Sequence, residues 1–180
     1  MSALQVAFLR GVNVGGRNPV PMAELRSVLE SSGCRDVRTY IQSGNVLVDP
    51  RHVTAGAAGL ADLVATVIRE SFGIDVAVVT RALSEVEHIA GAHPDAGGAV
   101  PAKWLHVFML DRVADPGDAP DPARFDPDRF AVAGREIYAT YPAGSGRSKL
   151  TGDVIERSFG VVATARNLTT LAKIVALGRG

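Results

Sequence analysis

Only one cysteine, Cys34, stands among the 180 residues, which excludes an intramolecular disulfide and any cysteine-cluster zinc site and suits a reducing compartment. It follows Gly33 with no histidine nearby in sequence, so it reads as a small packed side chain rather than a nucleophile. Aromatic residues are scarce at 6%, and Phe8 and Tyr40 are too few to form the stacking surface with which a β-sheet reads single-stranded RNA. No net charge remains, because 19 Lys and Arg balance 19 Asp and Glu; a globally basic nucleic-acid binder is not indicated. No apolar run approaches the roughly 18 residues of a membrane span. The N-terminus shows no basic lead, and its apolar run stops at Arg10, so no secretory leader is read and the cytoplasm is the expected location. Reaction signatures are equally thin. His88 and His93 stand five apart without the HExxH pattern, so no metal site is expected, and there is no GxSxG elbow and no spaced carboxylate pair. His106 alternates with Trp104 and Phe108 on a strand-like run, where a satisfied or surface histidine is commoner than a ligand. The sequence names no cofactor, oligomeric state or protein partner.

What is present describes an ordinary globular chain, 47% hydrophobic and 21% charged. Its charges are uneven: six Asp and three Arg fall between Asp111 and Arg129, whereas seven Lys or Arg face three acids from Arg135 onward. Leu4 to Arg10 reads as a strand. Pro21 then opens a helix whose Met22, Leu25, Val28 and Leu29 share a face, closed by Gly33. Two strand-like runs, Val37 to Ile41 and Asn45 to Val48, stand around Gln42-Ser43-Gly44, which is hairpin spacing, and Ser43-Gly44-Asn45 has the chemistry of a hairpin turn. Leu60 to Phe72 has helical periodicity and ends at Gly73, and Ile74 to Val79 is a further strand. The order β-α-β-β-α-β is that of a ferredoxin-like, split βαβ unit.

A capping box at Ser84 to Glu87 starts a helix that runs to about Ala92, and His93 to Pro101 reads as a linker. The second half replays the first more loosely. A strand at Trp104 to Leu110 precedes a Pro- and Asp-rich stretch with at most a short helix, and a hairpin from Phe130 to Tyr141 turns at Gly134. Ser148 or Thr151 caps one helix; Asn167 caps another, with Leu168, Leu171, Ile174 and Val175 inward and Gly178 just past its end. The expected fold is α+β: two tandem ferredoxin-like units with antiparallel or mixed sheets and helices on one face. Their expected bounds are residues 1–80 and 102–180, with a helix and linker over 81–101.

The passage Leu9 to Met22, LRGVNVGGRNPVPM, nearly spells a P-loop. Arg17 and Asn18 stand where that loop needs Lys and Ser or Thr, and Pro19 and Pro21 lack the N–H groups that a phosphate would use. Two readings stay open. The glycines and asparagines suit tight turns, and that reading leads. Yet Arg10 and Arg17 bracket Asn13, Gly15, Gly16 and Asn18, and guanidinium forks beside loop N–H groups suit an anion. Two later stretches repeat this mixture before helix starts, one holding Arg147, Ser148 and Lys149, the other Arg166 and Asn167. Capping explains Ser148 and Asn167 but not the cations.

LRGVNVGGRNPVPMAELRSVLESSG with DVRTYIQSGNVLV, and GRSKLTGDVIERSFGVVATARNLTTLAKI, resemble the two signatures of a bacterial domain-of-unknown-function family, number 1697. The resemblance implies a tandem of two ferredoxin-like units and no particular activity. It also implies a residue set: Arg10, Gly11, Asn13, Gly15, Gly16, Asn18, Met22, Thr39, Tyr40, Ser43, Gly44, Asn45, Arg147, Ser148, Lys149, Thr164, Arg166 and Asn167. Arg17 departs from the Lys often found there, which keeps the charge. Leu168 departs from the Trp often found there, which counts against a stacking role and keeps an apolar packing one.

The leading expectation is a small anionic or nucleotide-like ligand in a polar cleft. Loop 10–18, Ser43 and Asn45 of the hairpin turn, and the segments 147–149 and 164–167 would converge on that cleft. Were there a reaction, Tyr40, Ser43 and Tyr138 are the nearest candidates for proton transfer. A nucleic-acid-binding module using the basic C-terminal half is one alternative, recognised by steep salt dependence. An interaction scaffold, recognised by an exposed apolar patch, is the other.

Overall fold

The computed structural model describes residues 4–49 and 56–180; the first residues of the leader reading lie outside them. The fold is α+β, with two four-stranded antiparallel sheets and, among the described residues, five α-helices. Two compact units divide the chain, Met1–Val86 with Lys173–Gly180, and Glu87–Ala172.

The first sheet joins β1 (Gln5–Leu9), β2 (Arg35–Tyr40), β3 (Asn45–Asp49) and β4 (Val78–Ala82) in the order β2-β3-β1-β4. Alternation along the strands sends Ala7, Leu9, Val46 and Val48 to one face, where they meet the buried side chains of α1 (Met22–Ser31) and α2 (Gly56–Phe72). Met22, Leu25 and Leu29 recur at helical spacing along α1 and are buried; each such side chain stabilises the fold by about 1.5–3 kcal/mol. On edge strand β2 the register shifts between Arg35 and Arg38, with Asp36 at a φ of 52°. Strand β4 begins at Val78 rather than Ile74. Its partner β1 ends at Leu9 and the chain turns away at Gly11, φ 68°, so beyond one bond from Arg10 N to Ala77 O residues 74–77 have no strand to pair with. Ile74 and Val76 pack into the core instead.

Helix α3 (Leu83–Gly91) follows, but the capping box expected at Ser84 to Glu87 is displaced: Ser84 lies inside the helix, and the Glu85 carboxylate reaches back to accept the Ala82 N–H at 2.6 Å. The second sheet joins β5 (Leu105–Leu110), β6 (Arg129–Ala133), β7 (Glu136–Thr140) and β8 (Ala163–Asn167) in the order β6-β7-β5-β8. Phe108, Leu110, Ile137 and Ala139 line its core face against Phe125 and against Ile155 and Phe159 of α4 (Gly152–Phe159). Between β5 and β6 the Pro- and Asp-rich stretch forms only two short 3-10 turns, each capped by an aspartate, Asp115 and Asp121.

Helix α5 (Leu168–Arg179) contains Gly178 rather than ending before it. A methyl group there would lie 2.4 Å from Leu83 and 3.1 Å from Leu47, so this glycine answers to packing and not to helix termination. Ser148 does not cap α4. The Thr151 hydroxyl accepts the Val154 N–H at 3.4 Å, while Ser148 Oγ accepts from Leu150 N at 2.9 Å.

Candidate functional site

In the first unit the opening loop is a small hairpin. Val14 and Arg17 bridge across Gly15 and Gly16, whose φ values of 57° and 76° make the double-positive turn that favours glycine. Asn13 holds this hairpin to the body: its amide nitrogen donates to Val20 O at 2.9 Å and Gln42 O at 2.7 Å, and its oxygen accepts from Val20 N at 2.8 Å. Asn18 Nδ2 donates to Gly11 O at 3.1 Å. Both amides therefore serve the loop itself. Arg17 is exposed at the tip, and Arg10 is half-buried, its N–H donating to Ala77 O at 2.9 Å.

The hairpin turn after β2 lies against this loop. Gly44 has a φ of 76°, and an added Cβ would stand 2.6 Å from both Leu9 and Val12, so a side chain is excluded by strain and by space. Asn45 is fully buried, and its amide donates to Tyr40 O at 2.9 Å and to Ser43 Oγ at 3.1 Å. The structure thus brings Asn13, Tyr40, Ser43 and Asn45 into one polar knot that braces a turn.

In the second unit Arg147, Ser148 and Lys149 line a cavity of about 300 Å³ with Arg124, Asp126 and Asp128. A neighbouring depression of about 410 Å³ shares Arg124, Phe125 and Lys149. Arg124, Arg147 and Lys149 are exposed, and among the described residues none of the three forms an ion pair. Sequence reasoning picked out residues 147–149 but missed Arg124, which lies in a stretch dominated by aspartate. Arg166 and Asn167 do not line this cavity. Arg166 is buried, its Nη1 donating to Thr164 Oγ1 at 2.9 Å and Ala165 O at 2.7 Å, and burial pulls its pKa down to about 10. Asn167 Oδ1 accepts from Thr170 N at 2.8 Å and caps α5 as expected.

A second cavity, about 200 Å³, is lined by His93, Asp95, Arg129, Phe130, Tyr138 and Thr140. Its residues 93–95 come from the stretch read as a linker. His93 is buried, with Nδ1 accepting from Asp95 N at 3.2 Å and Nε2 donating to Ala139 O at 3.3 Å. Those two bonds assign a neutral tautomer, and burial holds the His93 pKa below its ordinary value. The Asp95 carboxylate accepts from the Thr140 hydroxyl and from Arg129 Nη2 at 3.0 Å, which holds its pKa below the ordinary carboxylate value. Tyr138 stands edge-on to His93, ring centroids 5.4 Å apart, and burial raises its pKa. The sequence signal that could have found this group is the run His93-Pro94-Asp95, two ionisable side chains in a stretch otherwise of Gly, Ala, Val and Pro. Among the described residues no three His, Cys, Asp or Glu side chains gather as metal ligands, and no helix is long and apolar enough to cross a membrane.

The motifs that form these loops place the chain in a family: it belongs to the one described as Protein of unknown function (DUF1697), whose model matches residues 3–138. The structure is also similar to that of the conserved bacterial protein SP0830 from Streptococcus pneumoniae, with a TM-score of 0.59, 20% sequence identity and 98% of each chain covered. At that identity the likeness shows the fold alone. No curated protein matches the chain.

Proposed function

We propose that the protein binds a small anionic or nucleotide-like ligand and that its anionic group sits in the Arg124, Arg147 and Lys149 cavity. The observation that carries this reading is the gathering of three cations without ion-pair partners among the described residues around one cavity of about 300 Å³. Guanidinium forks and an ammonium group match phosphate or carboxylate oxygens, and Asp126 and Asp128 at the same cavity favour a ligand that also carries hydroxyl or amine donors. Arg17, exposed at its hairpin tip, offers a separate anion contact in the first unit. We read each four-stranded sheet, with its edge-to-edge order, as a ferredoxin-like unit in a tandem pair, and the single buried thiol of Cys34 suits a cytoplasmic setting.

The test is a thermal-shift series with AMP, pyrophosphate, a sugar phosphate and a dicarboxylate. A ligand at about 100 times its Kd adds about 2.7 kcal/mol and raises the midpoint by several degrees. The expected result is a shift in the wild type that the double variant Arg147→Ala, Lys149→Ala abolishes and Arg17→Ala retains. Absence of a shift with every anion, in variants as stable as the wild type, overturns the proposal in favour of an interaction scaffold.

A further inference from the structure

The second cavity of unit two has a different chemistry. Tyr138 and Thr140 alternate with Ile137 and Ala139 along β7, and since the latter pair face the core, the former pair face the opposite side of the sheet. Tyr138 is 7% exposed, and among the described residues its hydroxyl has no hydrogen-bond partner. Asp95 Oδ2 takes both the Thr140 hydroxyl and Arg129 Nη2, which leaves Oδ1 without a donor among the described residues. An unused donor on Tyr138 of β7 and an unused acceptor on Asp95, which Thr140 two residues along the same strand holds in place, thus line one cavity.

Their positions are set by the surroundings. Both nitrogens of His93 are occupied by backbone groups, so its ring is a fixed wall against Tyr138. Pro94, Phe130 and Ala131 complete an apolar lining. The charge is also defined: Arg129 already pairs with Asp95, so a bare cation would meet the guanidinium and a bare anion the carboxylate. A neutral ligand avoids both costs. At about 200 Å³ the space is smaller than the ~300–1,000 Å³ of sites for drug-sized molecules, which limits the occupant to a single ring.

We propose that this cavity binds a small neutral planar ring carrying an N–H beside a carbonyl, a lactam or pyrimidine-type edge, with the N–H donating to Asp95 Oδ1 and the carbonyl accepting from the Tyr138 hydroxyl. None of these groups lines the cationic cavity, so the inference stands or falls independently of the anion reading.

The experiment titrates the isotope-labelled full chain with uracil, 2-pyrrolidinone and 1,3-dimethyluracil at millimolar concentration, following amide signals by NMR. Uracil and 2-pyrrolidinone are expected to move the signals of residues 93–95 and 129–140, whereas 1,3-dimethyluracil, which has no N–H, leaves them in place. Tyr138→Phe keeps the ring against His93 and is expected to weaken uracil roughly three- to tenfold, the loss of one hydrogen bond, with an unchanged melting temperature. Asp95→Asn is expected to weaken it as well. Equal responses to uracil and its dimethyl derivative, no response to either N–H probe, or full affinity in a folded Tyr138→Phe protein would each overturn the proposal.

Discussion

Asn13 does more than turn the chain. Three hydrogen bonds from one amide tie the opening hairpin to Val20 and to Gln42, and its φ of 54° is one that asparagine tolerates better than most side chains. Asn13→Ala removes all three and leaves backbone groups to be satisfied by water, so a loss of about 2–3 kcal/mol is expected, measured as a lower urea midpoint. Residue types alone marked Asn13, Asn18, Ser43 and Asn45 as special. They do not say which way an amide points, and that direction separates a loop brace from a ligand contact. His93 and Asp95 did not stand out as a pair, because a Pro- and Gly-rich neighbourhood reads as solvent-exposed linker until Thr140 and Arg129 arrive at Asp95 from 34 to 45 positions away.

Helix α4 illustrates how an element depends on its first residue. It has only eight residues, and the Thr151 hydroxyl satisfies one of its free N–H groups. Thr151→Ala is expected to cost about 1 kcal/mol, read from urea unfolding. Ser148→Ala leaves α4 unchanged and disturbs only the turn at Leu150. Both serines and threonines precede the apolar residues of α4 in the sequence, so capping was legible there while the choice between the two hydroxyls was not; that is decided by backbone direction over residues 145–151. Strand and helix placement in the first half was legible because Leu, Val and Ile recur at clean periods. The start of β4 was not, since an apolar run such as Ile74 to Val79 looks the same whether it meets a partner strand or a helix-packed core.

At the scale of the whole molecule, titration sets a window of stability. His93 and His106 both have pKa values lowered from 6.5, in each case chiefly by burial. The folded chain then binds protons less readily than the unfolded chain, so their contribution is complete above about pH 6.5 and is lost as pH falls through the lower folded values. Cys34, Tyr138 and Tyr141 are raised by burial from 9.0 and 10.0, and their contribution is complete below those values and lost as pH rises past them. Melting temperatures at pH 5, 8 and 10.5 are therefore expected to be highest at pH 8, with Tyr138→Phe flattening part of the alkaline loss. The register shift on β2 has a different bearing at this scale. Between Arg35 and Arg38 the outer row of N–H and C=O groups is broken by Asp36 in a left-handed conformation, flanked by two arginines. A foreign strand that tried to extend the sheet from that side would find no continuous ladder to copy, and the Asp36–Arg38 ion pair beside the break. The irregularity thus guards the exposed border against self-templated aggregation.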